Sequence, residues 1–539
     1  MTYQIVPDSA PFSAEQRAWL NGFLAGVLGV LDQQSAQGGS ATALAAAASL
    51  SPPPLGAGLL ESQPSDESYP WHDPALPLAD RMKLSEGMPQ EHRLMAAMAQ
   101  LNCGSCGYLC KSYSAAIANG TERNLTLCSP GGSETSKALR LLVKESASQQ
   151  KTSDNRQSTS TESVSKVEAA VGTRDNPVQA ILLASDKLNA PGSAKDTRHV
   201  AIDLAGTGLS YRVGDALGVW PTNCTELVSN VLKAAMLEEK YSELLSGTCL
   251  RAITPELVSL AIESVRNRHK QNGAVKLDGE LVTKVEAFLE SDELYEWDVL
   301  EFFEAFPSIG LTAQQIAGAL NDQKPRLYSI ASSQSLYPKQ VHLTIGRVEN
   351  RVRDRYRKGV ASTMFADRLS PGSPLRVFIN PSHGFTIPAD SNAPMIMVGP
   401  GTGIAPFIAF LQQRQMDNAK GRNWLFFGDQ RSTTDFLYRE QLESWKSNGL
   451  LTHLELAFSR DTASKVYVQH RMKERGAELF EWLESGAHFF VCGDASKMAI
   501  DVDNALREVI AEHGKKSTAE AKEYVKAMTN ARRYVRDVY

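Results

Sequence analysis

The segment Gly399-Pro400-Gly401-Thr402-Gly403 stands between the apolar run Met395–Val398 and the apolar stretch Ile404–Gln413. A strand that turns through glycines straight into a helix can continue only as a crossover unit. The alternation persists: Asn423–Phe427 reads as a strand, Phe436–Ser447 as a helix, Thr452–Phe458 and Phe489–Cys492 as strands, with further helices beyond. Residues 391–539 are therefore expected to form an α/β doubly wound parallel sheet. At such a turn Gly401, Thr402 and Gly403 let the backbone approach a phosphate, and the following helix, with Pro406 in its first turn, offers free N–H groups; a plain tight turn is the alternative. The pattern is not the GxGxxG dinucleotide fingerprint. The apolar window Ala393–Leu411 is broken by prolines and glycines, so a strand, loop and buried helix account for it better than a membrane span.

Upstream the texture differs. Residues 178–390 contain strand-like runs at Gln179–Leu188, His199–Leu204, Asp215–Trp220, Arg326–Ser333, Val341–Val348 and Leu375–Ile379, with a helical insertion at about 225–320. Discontinuous antiparallel strands around a helical insert predict a β-barrel. Residues 145–177 are rich in Ser, Thr, Gln and Lys and read as a flexible linker; a coil of about 30 residues spans roughly 30 Å. Residues 71–144 hold a cysteine cluster and a helical pattern at Ser136–Val143. Residues 34–70, rich in Ala, Gly, Ser and Pro, form another linker behind a helical segment, 1–33, whose amphipathic part is Phe12–Leu31. That helix is read either as a partner anchor or as packing on the cysteine domain.

Charge and targeting narrow the class. A net charge of −5 and a pI near 6.1 point neither to nucleic acid nor to anionic membrane. The first residues lack a basic n-region, so a cytoplasmic location is expected. Seven cysteines, four of them within 26 residues, suggest a metal site in a reducing compartment.

Two further motifs carry chemistry. Ser459-Arg460-Asp461 ends a strand, with Lys465 just beyond; a hydroxyl plus cations suits a 2′-phosphate and favours NADP, although a solvated basic loop is the alternative. Arg326-Leu327-Tyr328-Ser329 offers an arginine for pyrophosphate and a tyrosine to stack on a flat ring, and Gly359-Val360-Ala361-Ser362 precedes a helix expected at Ser362–Leu369.

On Arg326-Leu-Tyr-Ser-Ile-Ala-Ser-Ser-Gln334, Gly399 to Phe407, Asn423-Trp-Leu-Phe-Phe-Gly428, Lys465-Val-Tyr-Val-Gln469, Val491-Cys-Gly-Asp494 and Arg536-Asp-Val-Tyr539, residues 178–539 resemble the FAD- and NADPH-binding half of the NADPH-sulfite reductase flavoproteins, within the ferredoxin–NADP reductase superfamily. The resemblance implies that Arg326, Leu327, Tyr328, Ser329, Thr344, Ile345 and Gly346 contact FAD. It implies that Gly359, Val360, Ala361 and Ser362 hold the pyrophosphate, and that Tyr539 covers the flavin. Ser459, Arg460, Lys465, Val466, Tyr467, Val468, Gln469 and Asp501 would bind NADPH, and Ser329, Cys492, Asp537 and Tyr539 would surround the hydride-transfer site. Without the resemblance, Cys492 reads as buried packing and Tyr539 as a frayed terminus.

One feature departs from that family: no FMN-binding flavodoxin domain is evident. In its place stand Cys103, Cys106, Cys110 and Cys128, spaced C-x2-C-x3-C-x17-C. Three close thiolates and one distant one suit a [4Fe–4S] cluster in a small N-terminal iron–sulfur domain, with structural zinc as the competitor. The stretch resembles the small iron–sulfur domains of electron-transfer complexes, with three residues instead of the more usual four between the second and third cysteines. Electron counting gives the expected order NADPH, FAD, [4Fe–4S], protein acceptor, because NADPH delivers a pair and the cluster takes one electron at a time. The resemblance makes sulfite reductase haemoprotein the first acceptor and an assimilatory nitrate reductase the second. A non-catalytic interaction subunit and a stand-alone diaphorase with a structural zinc remain as alternatives. The basic run Arg347, Arg351, Arg353, Arg355, Arg357 and Lys358 reads as a solvated loop, with docking of an acidic partner as the other reading.

Overall fold

The computed structural model describes residues 69, 71, 76–100, 108, 110–120, 122, 125–128, 131–150, 171–271, 276–382, 384–495 and 497–539. The expected helix at Phe12–Leu31 and Cys103 and Cys106 lie outside these residues. Thirteen described strands run in chain order as β1 (Val178–Lys187), β2 (Thr197–Asp203), β3 (Ala216–Trp220), β4 (Arg326–Ser329), β5 (Gln340–Gly346), β6 (Glu349–Val352), β7 (Arg355–Lys358), β8 (Pro374–Asn380), β9 (Met395–Val398), β10 (Asn423–Asp429), β11 (His453–Phe458), β12 (His488–Gly493) and β13 (Tyr534–Val538).

Six of them form an antiparallel sheet in the order β4-β3-β8-β1-β2-β5. The run expected as one strand at 326–333 is shorter for a reason. After Ser329 the chain leaves β3, and Ile330 bridges Leu343 while the Ala331 amide donates to the His342 carbonyl at 2.8 Å. That switch links the two edge strands of the sheet at this point and curls it toward closure. Leu182, Val200, Ile202, Leu217, Leu343 and Val377 fill the interior, and Met364 and Phe365 plug it. The plug is a π-helical turn, Met364–Arg368, and not the regular helix expected at Ser362–Leu369.

The insertion between β3 and β4 is helical as expected, from Thr225–Ala234 to Ala313–Ala319, and has its own core around Phe302, Phe303, Leu257 and Val265. The basic run is not a solvated loop. It forms the hairpin β6–β7, with Arg353 at φ 54° in its turn and over the Trp297 ring at 4.6 Å. Arg357 pairs with Glu301 at 2.5 Å, Arg355 with the fully buried Asp298, Lys358 with Glu226 at 3.1 Å, and Arg347 with Asp367 and Glu349 at 3.0 Å. The alternation of side chains along the strands sends Arg355 and Arg357 toward the insertion, where Asp298 also caps the helix Val299–Ala305.

The remaining five strands form a parallel sheet, β11-β10-β9-β12-β13. All residues of β9 and β10 are buried, as strands covered on both faces must be. Ile396, Trp424, Phe426 and Val491 pack one face and Met397, Phe427, Phe410 and Phe490 the other. The sequence reading missed β13, because Tyr-Val-Arg-Asp-Val mixes charge into a short terminal run.

Near the N-terminus four described helices (Leu78–Leu84, Gln90–Ala97, Cys110–Ala118 and Gly132–Gln150) share a small core of Leu94, Ala97, Tyr113, Ile117, Leu139 and Leu142. The last helix passes the expected boundary at residue 144 and runs to Gln150. No helix among the described residues is long and apolar enough to cross a membrane.

His342 on β5 and His199 on β2 lie with ring centroids 4.9 Å apart inside this framework. Burial, reinforced by His199, pushes His342 down to about 4, and burial also lowers His199. A histidine neutral in the fold but protonatable near its ordinary value when unfolded stabilises above about pH 6.5 and loses that contribution as pH falls toward 4. Denaturant midpoints should therefore fall between pH 7.5 and 5, with His342 accounting for about 2 kcal/mol at pH 5. His342→Gln should flatten the fall; an unchanged slope would show that His342 titrates normally.

Candidate functional site

The barrel and the parallel sheet meet where β4, the glycine loop and β13 come together. β13 lies parallel to β12 with Cys492 opposite Asp537 in register. The Ser329 hydroxyl, from the end of β4, donates to Asp537 Oδ2 at 2.7 Å, and the Cys492 thiol lies 3.9 Å from the same oxygen. Burial raises Asp537 against the lowering effect of these two donors. Burial, aided by the Asp537 charge, raises the Cys492 thiol well above its ordinary range. Ser329, Cys492 and Asp537, far apart in sequence, thus share one carboxylate oxygen.

Tyr539 is not frayed. Its amide donates to the Gly493 carbonyl at 3.0 Å and its carbonyl accepts from the Ala495 amide at 3.2 Å. The residue as a whole is 47% exposed, and its hydroxyl meets Thr402 Oγ1 at 3.0 Å. Thr402 belongs to a 3-10 turn, Gly401–Ile404, that intervenes between β9 and the helix Ala405–Met416, so the loop does not open directly into an α-helix as expected. A Cβ on Gly403 would come within 2.1 Å of the Cys492 carbonyl oxygen; only glycine lets β12 approach the loop this closely.

On the barrel side Tyr328 is half-buried and edge-on to Phe365 at 6.1 Å. Arg326 is exposed and, among the described residues, donates only to the carbonyls of Lys324 (2.8 Å) and Pro325 (3.4 Å) and pairs with no carboxylate. Thr344 Oγ1 bonds the Tyr438 hydroxyl at 2.7 Å, and Tyr438 in turn meets His199 Nδ1 at 3.1 Å. Ile345 and Ala361 are buried, so they could meet a ligand only through backbone atoms. Ser362 Oγ accepts from the Val348 amide at 3.1 Å, and the Gly359 amide donates to the Val348 carbonyl at 2.8 Å, which fixes the loop 359–362 against the hairpin.

Beside that loop lies a cavity of about 280 Å³ lined by Arg251, Arg355, Arg357, Lys358, Val360 and Arg368, among others. The Nε atoms of Arg355, Arg357 and Arg368 are buried without a hydrogen-bond partner among the described residues. Arg251 donates to the Lys358 carbonyl, and Arg368 donates to the carbonyls of Thr222, Asn223 and Val360. Guanidinium groups clustered around a cavity suit an anion such as a pyrophosphate. The sequence reading missed Arg251 and Arg368, and the only signal that could have flagged them was their charge within otherwise apolar helical patterns.

Ser459 follows β11, and its amide donates to the Asp429 carbonyl at 2.9 Å. Arg460 and Lys465 are exposed, and Tyr467 is 42% exposed. Val468 is buried in the core and Val466 packs against it, so the run 465–469 offers outward only its alternate members. Gln469 Nε2 donates to Asp501 Oδ2 at 3.1 Å.

Of the four cysteines expected to hold a cluster, Cys110 opens the helix Cys110–Ala118 and Cys128 is buried; both pack on the same small core. Among the described residues no three metal-ligating side chains converge.

The geometry predicts that Cys492 resists alkylation in the folded protein at pH 8 and reacts only on unfolding, because both burial and the Asp537 charge oppose the thiolate. Mass-spectrometric labelling showing rapid native modification would contradict this placement.

Comparison with known proteins agrees with this division. Residues 172–256 and 282–364 match the FAD binding domain, and residues 397–504 match the oxidoreductase NAD-binding domain. The chain is 43% identical over 372 residues to the sulfite reductase [NADPH] flavoprotein alpha-component of Aliivibrio fischeri, covering 68% of this chain and 61% of that protein. The corresponding proteins of Bacillus subtilis (43% over 378 residues, 68% and 62%) and Vibrio vulnificus (44% over 375 residues, 69% and 60%) are similar to the same degree. The chain thus spans about three fifths of the length of these relatives. It carries the FAD-binding and NAD-binding domains of an oxidoreductase.

Proposed function

We propose that this protein is an NADPH-dependent flavoprotein reductase that passes electrons from NADPH through FAD and a [4Fe–4S] cluster to sulfite reductase haemoprotein. The observation that carries the reading is the convergence of Ser329, Cys492, Asp537 and Tyr539 beside the glycine loop, where two matched nucleotide-binding domains abut. FAD, when bound, supplies the conversion of a two-electron donor into single-electron steps.

The chain's own residues have separable roles in this reading. Arg326, the loop 359–362 and the guanidinium groups around the cavity hold the pyrophosphate of FAD. Tyr328 and Tyr539 present aromatic faces to its ring system, while Thr344 to Gly346 line its edge. Ser329 holds a proton at Oγ and Asp537 accepts it, so that the pair keeps one proton at the place where hydride arrives. Cys492, un-ionised, fills the space beside it without adding charge. Gly401 to Gly403 take the nucleotide phosphates, and Ser459, Arg460 and Lys465 take the 2′-phosphate, with Tyr467, Gln469 and Asp501 beside them.

Cys110 and Cys128 share one core, which supports a site at the N-terminal domain; Cys103 and Cys106 would complete it. The name these relatives share, sulfite reductase [NADPH] flavoprotein alpha-component, supports sulfite reductase haemoprotein as the acceptor ahead of an assimilatory nitrate reductase. We place the protein in the cytoplasm, where thiolate ligands stay reduced.

Tyr539→Ala should weaken discrimination between NADPH and NADH by about ten-fold or more in kcat/KM, since the ring leaves the face that nicotinamide must share. Identical kinetics for both coenzymes in variant and parent would remove Tyr539 from the site. Anaerobic NADPH titration followed by absorbance and electron paramagnetic resonance, with iron and acid-labile sulfide analysis, tests the electron route. Bleaching of flavin followed by a reduced-cluster signal is expected; zinc in place of iron would leave a diaphorase without the one-electron exit.

A further inference from the structure

Lys195 belongs to the segment between β1 and β2 and to none of the motifs above. Its ammonium pairs with Oδ1 of Asp429, the last residue of β10. The Asp429 side chain is fully buried, whereas 36% of the Lys195 side chain remains accessible. This pair lies against the bare Cα of Gly401. A Cβ there would be 4.0 Å from Lys195 Nζ and 3.9 Å from Asp429 Oδ2, and Gly401 itself sits at φ 59°. Asp429 Oδ2 is buried and has no hydrogen-bond partner among the described residues. The Asp429 backbone carbonyl, meanwhile, receives the Ser459 amide at 2.9 Å and the Ser459 hydroxyl at 3.3 Å. One residue of β10 therefore touches both the glycine loop and the start of the Ser459-Arg460 motif.

A buried carboxylate under a phosphate-binding loop would repel the ligand unless a cation screened it. Lysine is suited to more than screening: it is a compact charge on a flexible stem with three donors, and one of these faces Asp429. We propose that Lys195 is a nucleotide-phosphate ligand lent by the barrel, resting on Asp429 in the free protein and donating to the phosphates of the dinucleotide when these occupy Gly401–Gly403. The inference rests on the NADP(H) reading of that loop. It assigns a phosphate contact to the domain that binds the other cofactor, so closure of the site depends on both domains.

Calorimetric titration of the flavin-loaded full chain with NADP⁺, and separately with 2′-AMP, tests this. The 2′-AMP probe reports the Ser459–Arg460 subsite alone. Lys195→Met is expected to weaken NADP⁺ about ten-fold, the scale of one charge-assisted hydrogen bond, and to leave 2′-AMP unchanged. Lys195→Arg should retain most of the affinity, and Asp429→Asn should bind NADP⁺ as tightly as the parent or more tightly. The double variant Lys195→Met/Asp429→Asn, which leaves no unpaired buried charge, should remain weak for NADP⁺. Recovery of parental affinity in the double variant would mean that Lys195 only screens Asp429, and would overturn the proposal. Equal loss of 2′-AMP and NADP⁺ would do the same by exposing a structural effect. Failure of the parent to bind 2′-AMP at all would instead overturn the NADP(H) reading beneath it.

Discussion

The pairing of β13 with β12 is the contact on which the site depends. Five residues at the end of the chain add a parallel strand whose register sets Cys492 opposite Asp537 and brings Asp537 Oδ2 to the Ser329 hydroxyl of another domain. A shift by one residue would turn Asp537 to the other face of the sheet, since side chains alternate along a strand. Tyr539 would lose its backbone bonds to Gly493 and Ala495 and its approach to Thr402 in the same movement. Tyr534 anchors the register from the other end: it is buried against the core and donates to Asp503 Oδ1 at 2.9 Å.

A second layer of order comes from polar contacts between the barrel and the parallel sheet. Asn189 Nδ2 donates to Asp435 at 2.9 Å and the Ser193 hydroxyl reaches the same carboxylate oxygen, while Tyr438 meets Thr344 and His199. Tyr438 holds φ 55° to do so, a conformation disfavoured for a bulky residue and sustained by its surroundings. Buried polar networks specify one arrangement, and this one ties β2 and β5 of the barrel to the segment that precedes the helix Arg439–Ser447. Lys195 and Asp429 belong to the same seam but differ, since one carboxylate oxygen is left without a partner among the described residues.

The basic run shows how packing changes the meaning of charge. As sequence, six cations within twelve residues suggest a solvated surface or an acidic partner. Folded into a hairpin against the insertion, Arg355 and Arg357 meet Asp298 and Glu301, and their remaining donors join Arg251 and Arg368 around a cavity. The partner of the charge proves to be internal on one side, and on the other the cations border a cavity.

Local pattern alone determined a good deal. Apolar runs interrupted by glycine and proline determined the parallel sheet after residue 394. Alternating runs around a helical stretch determined the antiparallel domain, and the clustered cysteines singled out the N-terminal segment, because period and spacing survive without neighbours. Only the tertiary structure decided that 326–333 changes partners at Ile330, that the helix after Gly359 is a π turn, that Val466, Val468, Ile345 and Ala361 face inward, and that Tyr534–Val538 form a strand. Each of these turns on which surface lies opposite. A strand edge, a buried carboxylate or a cation acquires its role from atoms hundreds of residues away, as Ser329 does from Asp537 and Lys195 from Asp429.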